Sequence, residues 1–154
     1  MIFIASTQFT RPANVTAYAA KSLIANNTAA GSVVIPTIDP KRPMDVRRLI
    51  VRKNGNSAIQ LGALIVDPAL VMSIGDGGLI GDQNVLPLGL FGFGTPGASL
   101  YNGAQGAVAQ LAPVDGIDLP VRVSGRFGIL LVADTAYAPG NAEVFTIQAE
   151  CTVC

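Results

Sequence analysis

An all-β domain built as a sandwich or barrel is predicted by three observations. Turn residues punctuate the chain every eight to twelve positions, the segments between them are rich in Val, Ile, Leu and Thr, and helical periodicity is nearly absent. The 154 residues are expected to form one domain, 1–154, large enough to bury a core without a metal or a disulfide.

The segments between turns give strands at Ile2–Gln8, Thr16–Ala25, Ser32–Ile38, Val46–Lys53, Ala58–Asp67, Val71–Ile74, Val85–Leu90, Leu119–Ser124, Arg126–Asp134 and Glu143–Val153. In the last of these Phe145, Ile147, Ala149, Cys151 and Val153 alternate with a mostly polar set, so one face meets the core and the other meets solvent or a partner. The run Phe127–Ala133 is apolar on both sides and is expected to be a central strand covered on both faces. From Gly75 to Gly116 the composition shifts to Gly, Pro, Asn and Ala, a Gly-rich loop insertion in which Ala104–Ala112 reads as a short helix. The apolar Leu88, Leu90, Phe91 and Phe93 within it would gain about 1.5–3 kcal/mol each on burial, so this segment is expected to pack on the sandwich or on a neighbour.

Charge and composition narrow the function. Only 13% of residues are charged, ten cations balance ten anions, and no His is present. A balance of this kind gives no positive field to hold nucleic acid, and the missing imidazole removes the commonest general base and metal ligand. Half of the residues are apolar and the mean hydropathy is +0.48, which points to a surface covered by copies of the chain or by a larger assembly. The start has no basic region before its short apolar stretch and does not read as a secretory signal, and Pro and Gly interrupt every long uncharged stretch, so no membrane partner is expected.

Four motifs bear on chemistry. Gly92-Phe-Gly94-Thr-Pro-Gly97 spells a dinucleotide fingerprint, but Pro96 removes an amide donor and no helix follows, so no cofactor is expected. Cys151 and Cys154 differ by an odd number on a strand and therefore face opposite sides, with no further Cys or His to complete a metal site. Cys151 reads as a core thiol. Asp76-Gly-Gly-Leu-Ile-Gly-Asp82 fits no EF-hand spacing and reads as acidic turn residues satisfying backbone amides. The strongest charge feature is Lys41–Lys53, where six of the ten cations fall in thirteen residues. Along a strand from Val46, positions 46, 48, 50 and 52 read Val, Arg, Ile, Arg and positions 47, 49, 51 and 53 read Arg, Leu, Val, Lys, so both faces join apolar and basic residues, suited to docking on an acidic partner through arginine. A solvated strand with gatekeeper charges explains it equally well. No convergent catalytic group is evident, and no enzymatic activity is expected.

Two regions carry a family resemblance. Ala17–Asn26, Thr28–Val34 and Val46–Arg52, together with Gly128–Ile147 and its Tyr137-Ala-Pro139 turn, resemble small virion proteins encoded in the structural gene clusters of tailed bacteriophages. The resemblance implies a β-sandwich of jelly-roll type and a head decoration, or cement, protein on the outer surface of the capsid, assembled in the host cytoplasm. Its partners would be the major capsid protein and, as a trimer or dimer, itself. The partner-contact residues expected are Arg47, Arg48, Arg52 and Lys53 on the basic strand and Leu90, Phe91 and Phe93 in the Gly89–Gly97 loop. A neck, tail or baseplate component has the same composition; a glycan-binding module is disfavoured because no Trp offers a stacking platform.

Overall fold

The computed structural model describes residues 1–55, 57, 59–82, 89–91, 107–111 and 120–154. Within them the chain forms ten strands: β1 (Ile2–Thr10), β2 (Leu23–Ile24), β3 (Thr37–Ile38), β4 (Met44–Lys53), β5 (Leu61–Val66), β6 (Gly89–Phe91), β7 (Ala107–Leu111), β8 (Val121–Val123), β9 (Phe127–Ala133) and β10 (Val144–Val153). Two 3-10 turns, Ala30–Ser32 and Ile80–Asp82, complete the described elements.

All strand pairs are antiparallel and they nest. β1 pairs with β10, β2 with β9, β4 with β7 and β5 with β6, as in a long hairpin ribbon rolled up from its middle. Rolling brings β10 against β4 and β9 against β5, which closes two sheets. One runs β1-β10-β4, with β7 and β8 sharing the far edge of β4; the other runs β2-β9-β5-β6, with β3 beside β2 on β9. This is a jelly-roll sandwich.

The main core lies between the sheets. Phe145, Ile147, Ala149 and Cys151 of β10 are fully buried there, facing Ile129, Leu131 and Ala133 of β9. A second apolar cluster covers the outside of the other sheet, where Leu23, Val66 and Leu130 meet Met72, Ile35 and the half-buried Leu70 and Ile74. β9 is therefore buried along its whole length, the outcome expected of an apolar run with no polar face. Gly128 makes the second layer fit, because a Cβ there would lie 2.8 Å from Ile35 Cγ2.

Several elements differ from the sequence expectation. Thr16–Ala25 is not one strand: Lys21 adopts a left-handed backbone (φ 67°) in a turn closed by Ser22 N–H to Ala19 C=O, leaving a bridge at Tyr18 and the two residues of β2. Ser32–Ile38 contributes only β3. Val71–Ile74 forms no strand and instead lays Met72 and Ile74 on the outer face of the β9 sheet. Ala107–Leu111, within the segment read as a helix, is strand β7, because pairing with β4 outweighs the helical preference of alanine. Of the Gly89–Gly97 loop, the first three residues are strand β6 on β5; of Val85–Leu90, residues 85–88 lie outside the described residues.

The two-sided burial of β9 sets a stability expectation. Leu131→Ala should cost about 2–5 kcal/mol in urea unfolding, whereas Val71→Ala, at a side chain 79% exposed, should change stability by no more than about 0.5 kcal/mol.

Candidate functional site

The basic strand β4 carries a one-residue bulge. Val46 sits opposite Cys151 and Arg48 opposite Glu150, so Arg47 is the extra residue on β4. An inserted residue inverts the alternation. Met44 and Val46 point into the core before it, and Leu49, Val51 and Lys53 point in after it. Arg47 and Arg52 are exposed and Arg48 half-buried, so three of the expected contact residues share the outer side of the first sheet.

Neighbours fix two of these arginines. Arg47 Nε donates to Thr152 Oγ1 at 2.9 Å, and Arg48 pairs with Glu150 at 2.5 Å. On β8, Arg122 Nε donates to Asp45 Oδ1 at 2.9 Å, which holds the Asp45 carboxyl below the usual range. Four guanidinium groups thus stand with two carboxylates on one rigid sheet, a surface of net positive charge.

Lys53 is not part of that surface, which corrects the sequence expectation. The bulge turns it inward, where it is 3% exposed and bonds Glu143 Oε2 at 3.0 Å and Ser57 Oγ at 2.7 Å. Leu90 and Phe91 are in β6, with backbones opposite Leu64 and Ala63; Phe93 lies outside the described residues.

Lys53 belongs to a buried polar seam. Tyr18 and Tyr137 form a backbone bridge and stack with ring centroids 5.1 Å apart. Arg11 lies over the Tyr18 ring at 4.8 Å, donates from Nε to the Tyr18 hydroxyl and from Nη1 to Gly140 C=O at 2.9 Å, and stands 3.6 Å from Asp76. The Tyr18 hydroxyl donates to Asp76 Oδ1 at 2.5 Å, and the same oxygen accepts the Ala25 N–H at 2.8 Å. On the other side Lys53 Nζ lies 5.1 Å from the Tyr137 ring centroid, while Glu143 Oε1 accepts the Gly140 N–H at 2.6 Å.

Close backbone approach makes the seam possible. A Cβ on Gly75 would lie 1.9 Å from the Thr28 carbonyl oxygen, so only glycine lets this loop lie against residues 27–28 and deliver Asp76. Burial pushes the Lys53 ammonium down, against the pull of Glu143, and pushes both tyrosine hydroxyls well above their ordinary range. The seam is a structural clamp: every charge in it has a partner inside the protein.

Sequence reasoning did not single out Arg11, Tyr18, Tyr137 or Glu143 as a group. One signal was present. Arg11 is the only charge in the first twenty residues, and a lone charge amid apolar alternation is either solvated or specifically paired. Asp76 does satisfy a backbone amide, as its turn context suggests, and adds the tyrosine and arginine contacts. Cys151 is buried and its thiol is pushed up to about 11, whereas Cys154 is exposed, so the two face opposite ways. Among the described residues no three metal-ligating side chains come together, and no helix is long and apolar enough to cross a membrane.

No protein-family model matches the chain, and no curated protein matches it. Among solved structures it is similar to a chain of the cyanophage Pam1 capsid asymmetric unit, at 8% identity over 98% of this chain and 85% of that one, with a TM-score of 0.39. It is also similar to a chain of the acidic stable capsid of Helicobacter pylori bacteriophage KHP30, at 9% identity over 98% and 92%, with a TM-score of 0.38. A third similar chain, from T=1 particles derived from infectious bursal virus, is 12% identical; this chain covers 32% of it, with a TM-score of 0.33.

Two measurements test the clamp. Lys53→Met should cost about 3–5 kcal/mol in urea unfolding because it strands Glu143 without its cation, whereas Arg52→Ala should change stability by no more than about 0.5 kcal/mol. In an alkaline titration followed at 295 nm, Tyr18 and Tyr137 should ionise only as the protein unfolds. Their raised folded pKa means that the folded state holds its protons longer, so stability is intact below the ordinary phenol value of about 10 and falls as pH rises above it.

Proposed function

We propose that the chain is a non-enzymatic capsid decoration, or cement, protein of a tailed bacteriophage. It binds the outer surface of the head lattice and holds neighbouring major capsid proteins together. The observation that carries this reading is the outward arginine row of Arg47, Arg48 and Arg52, held in register by the β4 bulge and by β10 on a rigid jelly-roll sheet. Guanidinium groups carried on one rigid sheet suit bidentate bonding to carboxylates on a partner. The resemblance of Ala17–Asn26, Thr28–Val34, Val46–Arg52 and Gly128–Ile147 to phage virion proteins supports the same role, although the hairpin that the resemblance implies for residues 128–147 is not formed, since β9 and β10 lie in different sheets. A lattice presents many equivalent sites, so contacts that are weak singly hold firmly together.

The test is particle binding. Purified protein should pellet with emptied, undecorated heads in hundreds of copies per particle and raise their resistance to heat rupture. A double variant, Arg47→Glu with Arg52→Glu, should fold normally and lose most of that binding, and added salt should weaken the wild-type protein in the same direction. A dozen or fewer copies at one vertex, or binding to tails alone, would instead identify a neck, tail or baseplate component.

A further inference from the structure

The outer edge of β1 has no partner strand among the described residues. Its open backbone groups are identified by parity. Arg11 N–H bonds Glu143 C=O at 2.9 Å, and Val153 N–H bonds Met1 C=O at 3.4 Å, so odd-numbered residues spend their backbone groups on β10. Ile2, Ile4, Ser6, Gln8 and Thr10 therefore aim their N–H and C=O groups away from the sheet. An edge of nine residues is usually protected by Lys, Pro, a bulge or an inward charge. This one has no charged residue and no Pro, pairs with β10 without a register shift, and exposes Ile2 and Ile4 at 63% and 58%.

The two ends of the same edge are complementary. Beside its second half lies a groove of about 480 Å³, walled by Thr7–Thr10 on one side and by Asn26 and residues 34–37 on the other, without a charged side chain. Its first half is the apolar Ile2, Phe3 and Ile4. An antiparallel two-fold lays the first half of each strand along the second half of the other. Both grooves are then filled at once.

We propose that two copies of the chain pair through this edge, β1 against β1, about a two-fold axis at Ser6. In that register Ile2 lies opposite Thr10 of the second copy, Ile4 opposite Gln8, and Ser6 opposite itself, so the outward backbone groups meet as hydrogen-bonded pairs. On the inner face Phe3 of one copy lies opposite Phe9 of the other, which already stacks on Phe145 with centroids 5.5 Å apart. Two sheets become one continuous sheet across the dimer. The inference stands on the open edge of β1 and the groove beside it and is independent of the particle-binding role.

Light scattering coupled to size exclusion on the full chain tests it without particles. The wild-type protein should have the mass of a dimer. Ser6→Pro removes an outward N–H that β10 does not use, so it should keep the native circular dichroism and have half the mass. In a Cys154→Ser background, Ser6→Cys should cross-link to itself under mild oxidation, the Cα atoms of such a pair lying about 5.5 Å apart. Gln8→Cys should cross-link with Ile4→Cys and not with itself. Should Ser6→Pro fail to fold, the cysteine register decides. A wild-type monomer or trimer, a dimer indifferent to Ser6→Pro, or cross-linking in another register would each overturn the proposal. A monomer whose Ser6→Pro variant no longer binds heads would overturn it in favour of a capsid strand on the same edge.

Discussion

The buried seam from Asp76 through Arg11, Tyr18, Tyr137 and Lys53 to Glu143 constrains one end of the sandwich. Its members come from separate pieces of chain: the exit of β1, the approach to β2, the loop after β5, the end of β4 and the turn between β9 and β10. Desolvated charges tolerate little misplacement, because a cation drawn away from its carboxylate loses both the attraction and the hydration that it gave up on folding. Tyr18 and Tyr137 make the seam continuous: their stacked rings separate the two ion pairs while each ring faces a cation, Arg11 on one side and Lys53 on the other.

The β4 bulge sets the character of the opposite surface. By inverting the alternation it sends Lys53 to the clamp and leaves arginine on the outside, so one extra residue decides both the interior ion pair and the exterior charge row. Without it, the strand would bury Arg48 and Arg52 in register with Val46, setting two charges into an apolar core. The central position of β4, between β10 and the β7 and β8 segments, keeps this geometry rigid.

Much of the architecture was legible from side-chain alternation, and the failures have physical causes. β9 and β10 were recognisable because apolar residues recur with period two in β10 and leave no polar face in β9, and each is paired along its whole length. β4 was found, but its bulge was not, since an extra residue leaves no mark on a segment that already mixes Arg with Val, Leu and Ile. The segments around β2 and β3 were too long on paper because their apolar residues serve the second layer without joining a ladder. Ala25 and Ile35 are buried there, outside β2 and β3, for packing reasons that period two does not encode. The seam was hidden for a different reason: its residues are scattered from position 11 to 143, and the one local sign, the isolation of Arg11 among uncharged residues, fits a solvated arginine as well as a clamped one.

The nesting of the ribbon places β1 and β10 side by side, and Val153 donates to Met1 across them. Residues 1 and 153 therefore sit at one corner of the sandwich, beside the exposed Ile2 and Ile4, so a bulky cargo joined at either residue would shade the edge of β1.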